Sequence, residues 1–209
     1  MVRFTTQRGL DRLVNFSDAT VAIAVTVLVL PLTELAGQAQ AQEGGIGAFL
    51  IDNVSEIGAF LTSFLVITVI WTEHHRLFEA LVSYDAPLVA LNFVWLFAIV
   101  AIPFSTAITH DRAVGDRASN ALYIGNLLLA FLALAAMHLV ARYDFPVLDP
   151  GRRGTFRVGP SIVVTATCAI ALVVAVTVPA IGRYAVFLTL LTDPVLFAIQ
   201  KRARQDDRQ

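Results

Sequence analysis

A small polar cluster at the edge of an apolar run is the part of this sequence best placed to do chemistry. Arg12, Ser17 and Asp18 precede the mostly apolar stretch 19–30. A carboxylate at the edge of hydrocarbon costs about 3 kcal/mol on insertion scales, so Asp18 requires a partner. Neighbours on one helix face are three or four positions apart, whereas Arg12 and Asp18 are six apart. We therefore expect Asp18 to meet a group on another helix.

Four side chains further along the chain are candidate partners for Asp18: His74, His75, Asn92 and Trp95. Polar side chains inside a membrane turn towards neighbouring helices and bond to one another. Such a cluster fits two roles, a structural clamp between helices or a relay for protons or ions. We expect the clamp, and the relay stays open as the alternative.

Signatures of enzymes, metal sites and familiar potassium filters are absent from the sequence. It contains no HExxH, Walker-type loop, GxSxG motif or TVGYG-like segment. His74 and His75 are adjacent and leave a helix on different faces, which disfavours shared metal binding. A net charge of −1 provides no basic surface for nucleic acid. The sequence predicts no enzyme, no resident metal or cofactor, and no nucleic-acid partner.

The elements that must position these residues are membrane helices. Hydrophobic residues make up 57% of the 209-residue chain, and only 15% are charged, against about 25% in soluble domains. Mean hydropathy is +0.72. A helix needs about 20 residues to cross hydrocarbon. We predict an all-α membrane protein with one six-helix domain over residues 1–209 and spans at 14–32, 57–80, 88–108, 120–140, 158–181 and 184–200.

The distribution of basic residues predicts the orientation of these spans. With six spans and the N-terminus in the cytoplasm, 12 of the 15 Lys and Arg residues fall on the inside. Because cytoplasmic loops carry the excess of positive charge, this arrangement satisfies the positive-inside rule. We expect a multi-pass protein of the bacterial inner membrane with both termini in the cytoplasm.

An apolar stripe follows the polar cluster on the first span. Ile23, Val27 and Leu30 share one helix face, and Thr26 lies beside them. Lipid-facing and pore-facing stripes look alike in a single sequence, so periodicity leaves both possible. Around an axis shared by several copies, rings of branched aliphatic side chains would block ions by dewetting. Pro31 directly follows the stripe and predicts that the helix bends or ends there.

These features resemble the lysosomal and endosomal potassium-channel family in its prokaryotic form with one six-helix repeat. The resemblance is close in the first half of the chain and extends to layout alone in the second. It rests on three blocks in order: Arg12-x-x-x-Phe16-Ser17-Asp18 with Ala22-Ile23 and Thr26, then 71–78 (WTEHHRLF), then 91–97 (LNFVWLF) with 102–106 (IPFST).

The resemblance implies a homotetramer in the lipid bilayer whose first helices line a central pore permeable to potassium ions. It implies a hydrophobic constriction at Ile23, Val27 and Leu30, and a selectivity role for Thr26. The alternative function is a proton-leaking or proton-coupled transporter using Asp18 and a histidine. The implied structural motif and polar network comprise Arg12, Phe16, Ser17, Asp18, His74, His75, Asn92 and Trp95.

Overall fold

Helices dominate the part of the chain that the structure describes. The computed structural model describes residues 3–4, 6–39, 45–110, 116–143, 147–152, 154, 156–178 and 187. In chain order the elements are β1 (Arg3–Phe4), α1 (Gln7–Val27), α2 (Leu30–Ala39), α3 (Gly45–Asp52), α4 (Val54–Phe78), β2 (Tyr84–Asp85), α5 (Ala86–His110), α6 (Arg117–Tyr143) and α7 (Gly159–Thr177).

Five helical segments within the described residues are long and apolar enough to cross a membrane. They are Gln7–Gly37, Val54–Phe78, Ala86–Thr109, Arg117–Tyr143 and Gly159–Thr177. Each of them overlaps one of the first five predicted spans, and the first begins earlier because α1 continues through the polar cluster. The predicted sixth span, 184–200, lies outside the described residues except for Phe187. The six-helix count stays a prediction.

Carboxylates and prolines define where several helices begin. Asp85 Oδ1 accepts a hydrogen bond of 2.9 Å from the backbone N–H of Leu88 and caps the N-terminus of α5. Asp116 accepts hydrogen bonds from the backbone N–H groups of Ala118 and Ser119 at the start of α6. A proline lies in the first turn of α7. Backbone N–H groups in a first turn have no acceptor within the helix, so the missing N–H of proline costs no hydrogen bond there. The two carboxylates cap the N-terminal ends of α5 and α6, and the proline marks the start of α7.

The core of the bundle lies around α6, which packs against α5 on one side and α7 on the other. Ile124, Leu127, Ala130 and Met137 of α6 are completely buried. Cys168 of α7 is also buried among them, as a small apolar side chain. α1 and α4 also pack against α5 and have long faces that the described helices leave uncovered.

A short strand ladder closes the end of the bundle at which α1 begins. β1 pairs with β2 in antiparallel register, with Arg3 opposite Asp85. The backbone of Val82 donates a 2.9 Å hydrogen bond to Val147, which joins the α4–α5 connection to the segment after α6. Gly9 leaves no room for a Cβ atom because the Tyr84 hydroxyl lies against it. These contacts tie the start of α1 to the α4–α5 connection.

Candidate functional site

α1 has two faces with different surroundings. Leu10, Ser17, Val21 and Ala24 form its buried side, which packs against α4 and α5, and Leu28 directly after the helix is also buried. The predicted stripe lies on the opposite side, where the exposed fractions are 64% for Ile23, 39% for Val27 and 52% for Leu30. The described helices of the chain therefore leave the predicted stripe uncovered.

A break in the helix divides the predicted stripe. α1 ends at Val27, and α2 begins at Leu30 after a two-residue turn. The N–H of Val29 bonds to Thr26 O at 3.3 Å, an i→i−3 contact that tightens the last turn. Pro31 explains the break, because it has no N–H for the carbonyl of Val27 and its ring crowds that carbonyl. Ile23 and Val27 thus belong to α1, whereas Leu30 opens α2.

Thr26 offers an acceptor on the uncovered face of α1. Its hydroxyl donates a 2.7 Å hydrogen bond to the carbonyl of Ile23. Thr20, two turns nearer the N-terminus, makes the same kind of bond to the carbonyl of Phe16 at 2.8 Å. Each hydroxyl proton is used within the helix, so the oxygen lone pairs remain for an outside partner. An oxygen of this kind can accept a hydrogen bond or contact a cation.

A directed chain of hydrogen bonds joins α4, α5 and α1 on the buried side. His74 Nε2 lies 2.8 Å from Asn92 Oδ1. Asn92 Nδ2 donates to Ser17 Oγ at 3.0 Å, and Ser17 Oγ donates to the carbonyl of Leu13 at 2.9 Å. Because Asn92 offers its oxygen to His74, the Nε2 atom of a neutral His74 carries the proton. All three side chains are completely buried.

Aromatic rings enclose the His74 end of this chain. The imidazole stacks on Trp95 with ring centroids 3.9 Å apart and planes 13° apart. Phe78 lies on α4 with its ring centroid 4.4 Å from that of His74. Trp95 is completely buried. The sequence-predicted residues Ser17, His74, Asn92 and Trp95 are therefore in one cluster.

The partner of Asp18 is a residue that the sequence analysis did not select. Trp71 Nε1 of α4 donates a 2.8 Å hydrogen bond to Asp18 Oδ1. None of the four predicted candidates makes a described hydrogen bond to this carboxylate. Trp71 lies one turn before His74 and His75, so it reaches the same layer of the bundle. Its indole is a donor without acceptor capacity, which suits a carboxylate, and its position one turn before His74 is the signal that could have identified it.

The remaining predicted network residues lie around this cluster. Phe16 is 53% exposed, and its ring lies 6.1 Å from that of Phe93 on α5. Arg12 is exposed on α1 and has no ion pair with Asp18 among the described residues. His75 stacks on Trp71 with centroids 5.4 Å apart. The hydrogen-bonded centre of the network is thus buried, and Arg12 and Phe16 at its edge are exposed.

The carboxylates, histidines and cysteine in the described part of the chain do not gather into a group of three or more that could hold a metal ion. Hydrogen bonds and stacked aromatic rings instead join α1, α4 and α5, and one face of α1 stays exposed among the described residues.

Comparison with known proteins connects this arrangement to a family. Residues 12–103 match the model of a family described as "Endosomal/lysosomal potassium channel TMEM175". The matched region contains the α1 stripe and the whole polar network. A crystal structure described as a lysosomal potassium-selective channel TMEM175 homolog from Chamaesiphon minutus aligns with a TM-score of 0.59 and 26% identity, covering 89% of this chain and 99% of that one. Residues 12–103 of the chain are homologous to the TMEM175 family.

Curated relatives of the TMEM175 family carry two kinds of name. A potassium channel of Streptomyces collinus is 33% identical over 125 residues, which are 59% of each chain. A potassium channel of Chamaesiphon minutus is 32% identical over 137 residues, 65% of each chain. The endosomal/lysosomal proton channel TMEM175 of Mus musculus is 34% identical over 95 residues, 45% of this chain and 18% of the relative. The matches therefore span less than two thirds of these relatives.

A second TMEM175 structure supports the fold beyond the matched half. A variant of the potassium channel MtTMEM175, in complex with a nanobody–MBP fusion protein, aligns with a TM-score of 0.56 at 16% identity, covering 95% of this chain. The family resemblance predicted from the sequence is confirmed. Similarity to an ion-channel family also agrees with the lack of enzyme signature motifs in the sequence.

Proposed function

We propose that this chain forms a potassium-permeable cation channel of the bacterial cell membrane, as a homotetramer with α1 around a central pore. The observation that carries the proposal is the two-sidedness of α1. Its buried side is fixed to α4 and α5 by the Ser17–Asn92–His74 chain and by Trp71, while Ile23 and Val27 are uncovered. Four such faces around one axis would form a closed cyclic assembly. In this assembly the positive-inside pattern puts both termini in the cytoplasm.

Rings of apolar side chains would form the constriction. Four copies of Ile23, and one turn further four copies of Val27, would narrow the path with surfaces that water wets poorly. An ion that must shed water there without a replacement ligand meets a barrier, so the rings act as the gate. Leu30 would add a third ring. Because Leu30 begins α2, the turn between α1 and α2 determines where this ring lies relative to the other two. Potassium is the permeant ion, and conduction needs no cofactor.

Thr26 supplies oxygen ligands next to the apolar rings. Its hydroxyl proton is held by the Ile23 carbonyl, so four Thr26 oxygens would present lone pairs to a partly dehydrated cation. Potassium loses water at a lower cost than sodium because its hydration shell is weaker. Side-chain oxygens of modest field strength therefore favour potassium, and this ring takes the place of a carbonyl filter.

We expect Thr26→Val to reduce the preference for potassium over sodium. Valine has nearly the same shape but lacks the oxygen, so the path keeps its width and loses its ligand. Thr26→Ser, which keeps the hydroxyl, serves as the matched control and should retain the preference. The reversal potential under bi-ionic potassium and sodium conditions measures the effect. An unaltered reversal potential in the Thr26→Val channel would contradict the selectivity role.

A flux experiment tests the proposed function. The purified protein is reconstituted into liposomes with a potassium gradient and equal pH on both sides, and potassium efflux is recorded with an ion-selective dye. We expect potassium efflux, and a much smaller sodium efflux when the same liposomes carry an equal sodium gradient instead. Empty liposomes are the control.

The alternative function is proton leak or proton-coupled transport through Asp18 and a histidine. It is favoured by the name of the mouse relative, a proton channel, and by the position of Asp18 next to the His74 layer through Trp71. Flux that appears only under a pH gradient supports this alternative. Absence of flux for both ions in intact tetramers contradicts both functions and leaves a structural membrane protein.

A further inference from the structure

A cavity lies between α4, α5 and α6, at the end of the bundle opposite to the strand ladder. Its volume is about 150 Å³, and its described lining comes from the first three turns of α4, the last two turns of α5, Tyr123 of α6, and Phe187. In another protein, an engineered cavity of about 150 Å³ binds benzene. The cavity is therefore large enough for one small aromatic molecule.

Three hydroxyl groups form a bonded chain in the wall of this cavity. Ser63 Oγ lies 2.9 Å from Thr106 Oγ1 and 3.1 Å from the hydroxyl oxygen of Tyr123. The Thr106 hydroxyl donates to the carbonyl of Ile102 at 2.8 Å. Because that proton is used, Ser63 donates to Thr106 and Tyr123 donates to Ser63. The oxygens of Ser63 and Thr106 each keep a lone pair that can accept from an additional donor.

The rest of the described lining supplies a donor and apolar surface but no charge. The hydroxyl of Thr62 makes no hydrogen bond to any described residue, so its proton is available to a ligand oxygen. Val54, Ala59 and Phe187 contribute apolar surface, and none of the described lining residues is Asp, Glu, Lys, Arg or His. A charged ligand would lose its hydration here without meeting a counter-charge, which disfavours it.

We propose that this hydroxyl cavity, defined by Thr62, Ser63, Thr106 and Tyr123, binds a small uncharged alcohol or phenol. The hydroxyl group of the ligand donates to Ser63 or Thr106 and accepts from Thr62, while its ring or chain fills the apolar remainder. No residue of α1 is in the described lining. The site is thus separate from the face of α1 to which we assign the conduction path.

The hydroxyl cavity adjoins the turn between α1 and α2. Ala59 and Thr106 also line a smaller cavity of about 20 Å³, together with Leu28 and Pro31 on either side of the turn. A ligand that contacts Ala59 and Thr106 is therefore separated from the turn by a single layer of side chains. We expect a bound alcohol to change potassium flux through this contact. The effect on flux rests on the proposed function, whereas binding does not.

Fluorine NMR with para-fluorobenzyl alcohol tests binding to the full chain in lipid nanodiscs. We expect broadening of the fluorine signal that saturates and that excess benzyl alcohol removes, which separates the site from partition into lipid. The compound para-fluorotoluene has the same ring without the hydroxyl group. Because it forfeits the hydrogen bonds to the cavity, it should bind about tenfold more weakly.

Variants at Gly58 decide whether the bound alcohol is in the hydroxyl cavity. Gly58 lines the cavity, and a Cβ atom added there meets no atom within 4 Å. Gly58→Leu therefore fills the space without a clash and should abolish saturable binding, and Gly58→Val serves if the leucine variant does not fold. Gly125→Leu is the matched control, because a Cβ atom at Gly125 on α6 also meets open space but lies outside the described lining. This control should retain binding.

Loss of saturable binding in a Gly58 variant, with retention in Gly125→Leu, supports the inference. Three results would overturn it: no saturable binding to the wild-type chain, equal binding of para-fluorotoluene, or binding that persists in Gly58→Leu. Benzyl alcohol should also change potassium flux through the wild-type protein more than through Gly58→Leu. Equal changes would contradict the contact with the α1–α2 turn. Absence of flux without alcohol would contradict the proposed function, and the NMR result would still decide the site.

Discussion

Ile23→Ala is expected to raise potassium conductance about tenfold or more and to lower the selectivity among cations. The change removes three carbons from each copy of a side chain in the proposed constriction, so water and hydrated ions would enter more readily. A tenfold rise corresponds to about 1.4 kcal/mol less barrier. Because ions would pass with more of their hydration shell, the oxygens of Thr26 would discriminate less well between potassium and sodium. Single-channel recording or liposome efflux measures the change.

Ile170→Ala is the matched control for this prediction. Ile170 lies on α7, is the same residue type and has a similar exposed fraction, 59% against 64% for Ile23. It has no place in the proposed conduction path, so its replacement should leave conductance within about twofold of the wild-type value. Unchanged currents in Ile23→Ala, or equal effects of the two replacements, would remove Ile23 from the gate.

Asn92→Leu is expected to produce the largest loss of stability among changes to the polar network. Leucine has a similar volume but cannot accept the Nε2–H of His74 or donate to Ser17. It therefore leaves a donor of His74 buried without a partner, which costs about 1–3 kcal/mol. The one replacement removes both hydrogen bonds by which Asn92 of α5 connects α4 and α1. The proposed tetramer should therefore form in lower yield. Thermal unfolding and size-exclusion chromatography of the solubilised protein measure the effect.

Asn126→Leu separates this effect from the general cost of losing a buried amide. Asn126 of α6 donates one 3.0 Å hydrogen bond to the carbonyl of Ala98. That carbonyl keeps its helical bond within α5, so the replacement leaves no orphaned group and costs about 0.6 kcal/mol. If the Asn92→Leu protein unfolded at the same temperature as the Asn126→Leu protein, the Ser17–Asn92–His74 hydrogen bonds would not be what holds α1, α4 and α5 together.

Hydropathy and spacing were enough to predict the helical class and the residue types of the buried clamp. The periodicity of α1 separates Ser17 from Ile23, and the structure indeed buries one and leaves the other uncovered. The family resemblance follows from the same residues, since Phe16-Ser17-Asp18 and the paired histidines are unusual within an apolar chain. The family model matches residues 12–103, which is why the first half of the sequence was the more informative part.

The pairing within the cluster could not be read from the sequence. Four candidate partners of Asp18 share one layer, and the choice among them depends on how α4 is rotated against α1, which spacing alone does not give. That rotation brings Trp71 to the carboxylate and turns His74 towards Asn92. The bend at Pro31 was predicted, but its consequence for Leu30, a start in a new helix, depends on how the turn at residues 28–29 closes.

The central claim, that α1 lines the conduction path, is tested most directly by silver block of an Ile23→Cys channel. Silver ions resemble potassium in size and bind thiolates tightly, so they report on thiols that line a cation path. The single native cysteine, Cys168, is buried and is first replaced by alanine. We predict that silver abolishes potassium flux through the Ile23→Cys channel and spares an Ile170→Cys channel. Full flux through the Ile23→Cys channel after its thiols have demonstrably bound silver would contradict the account.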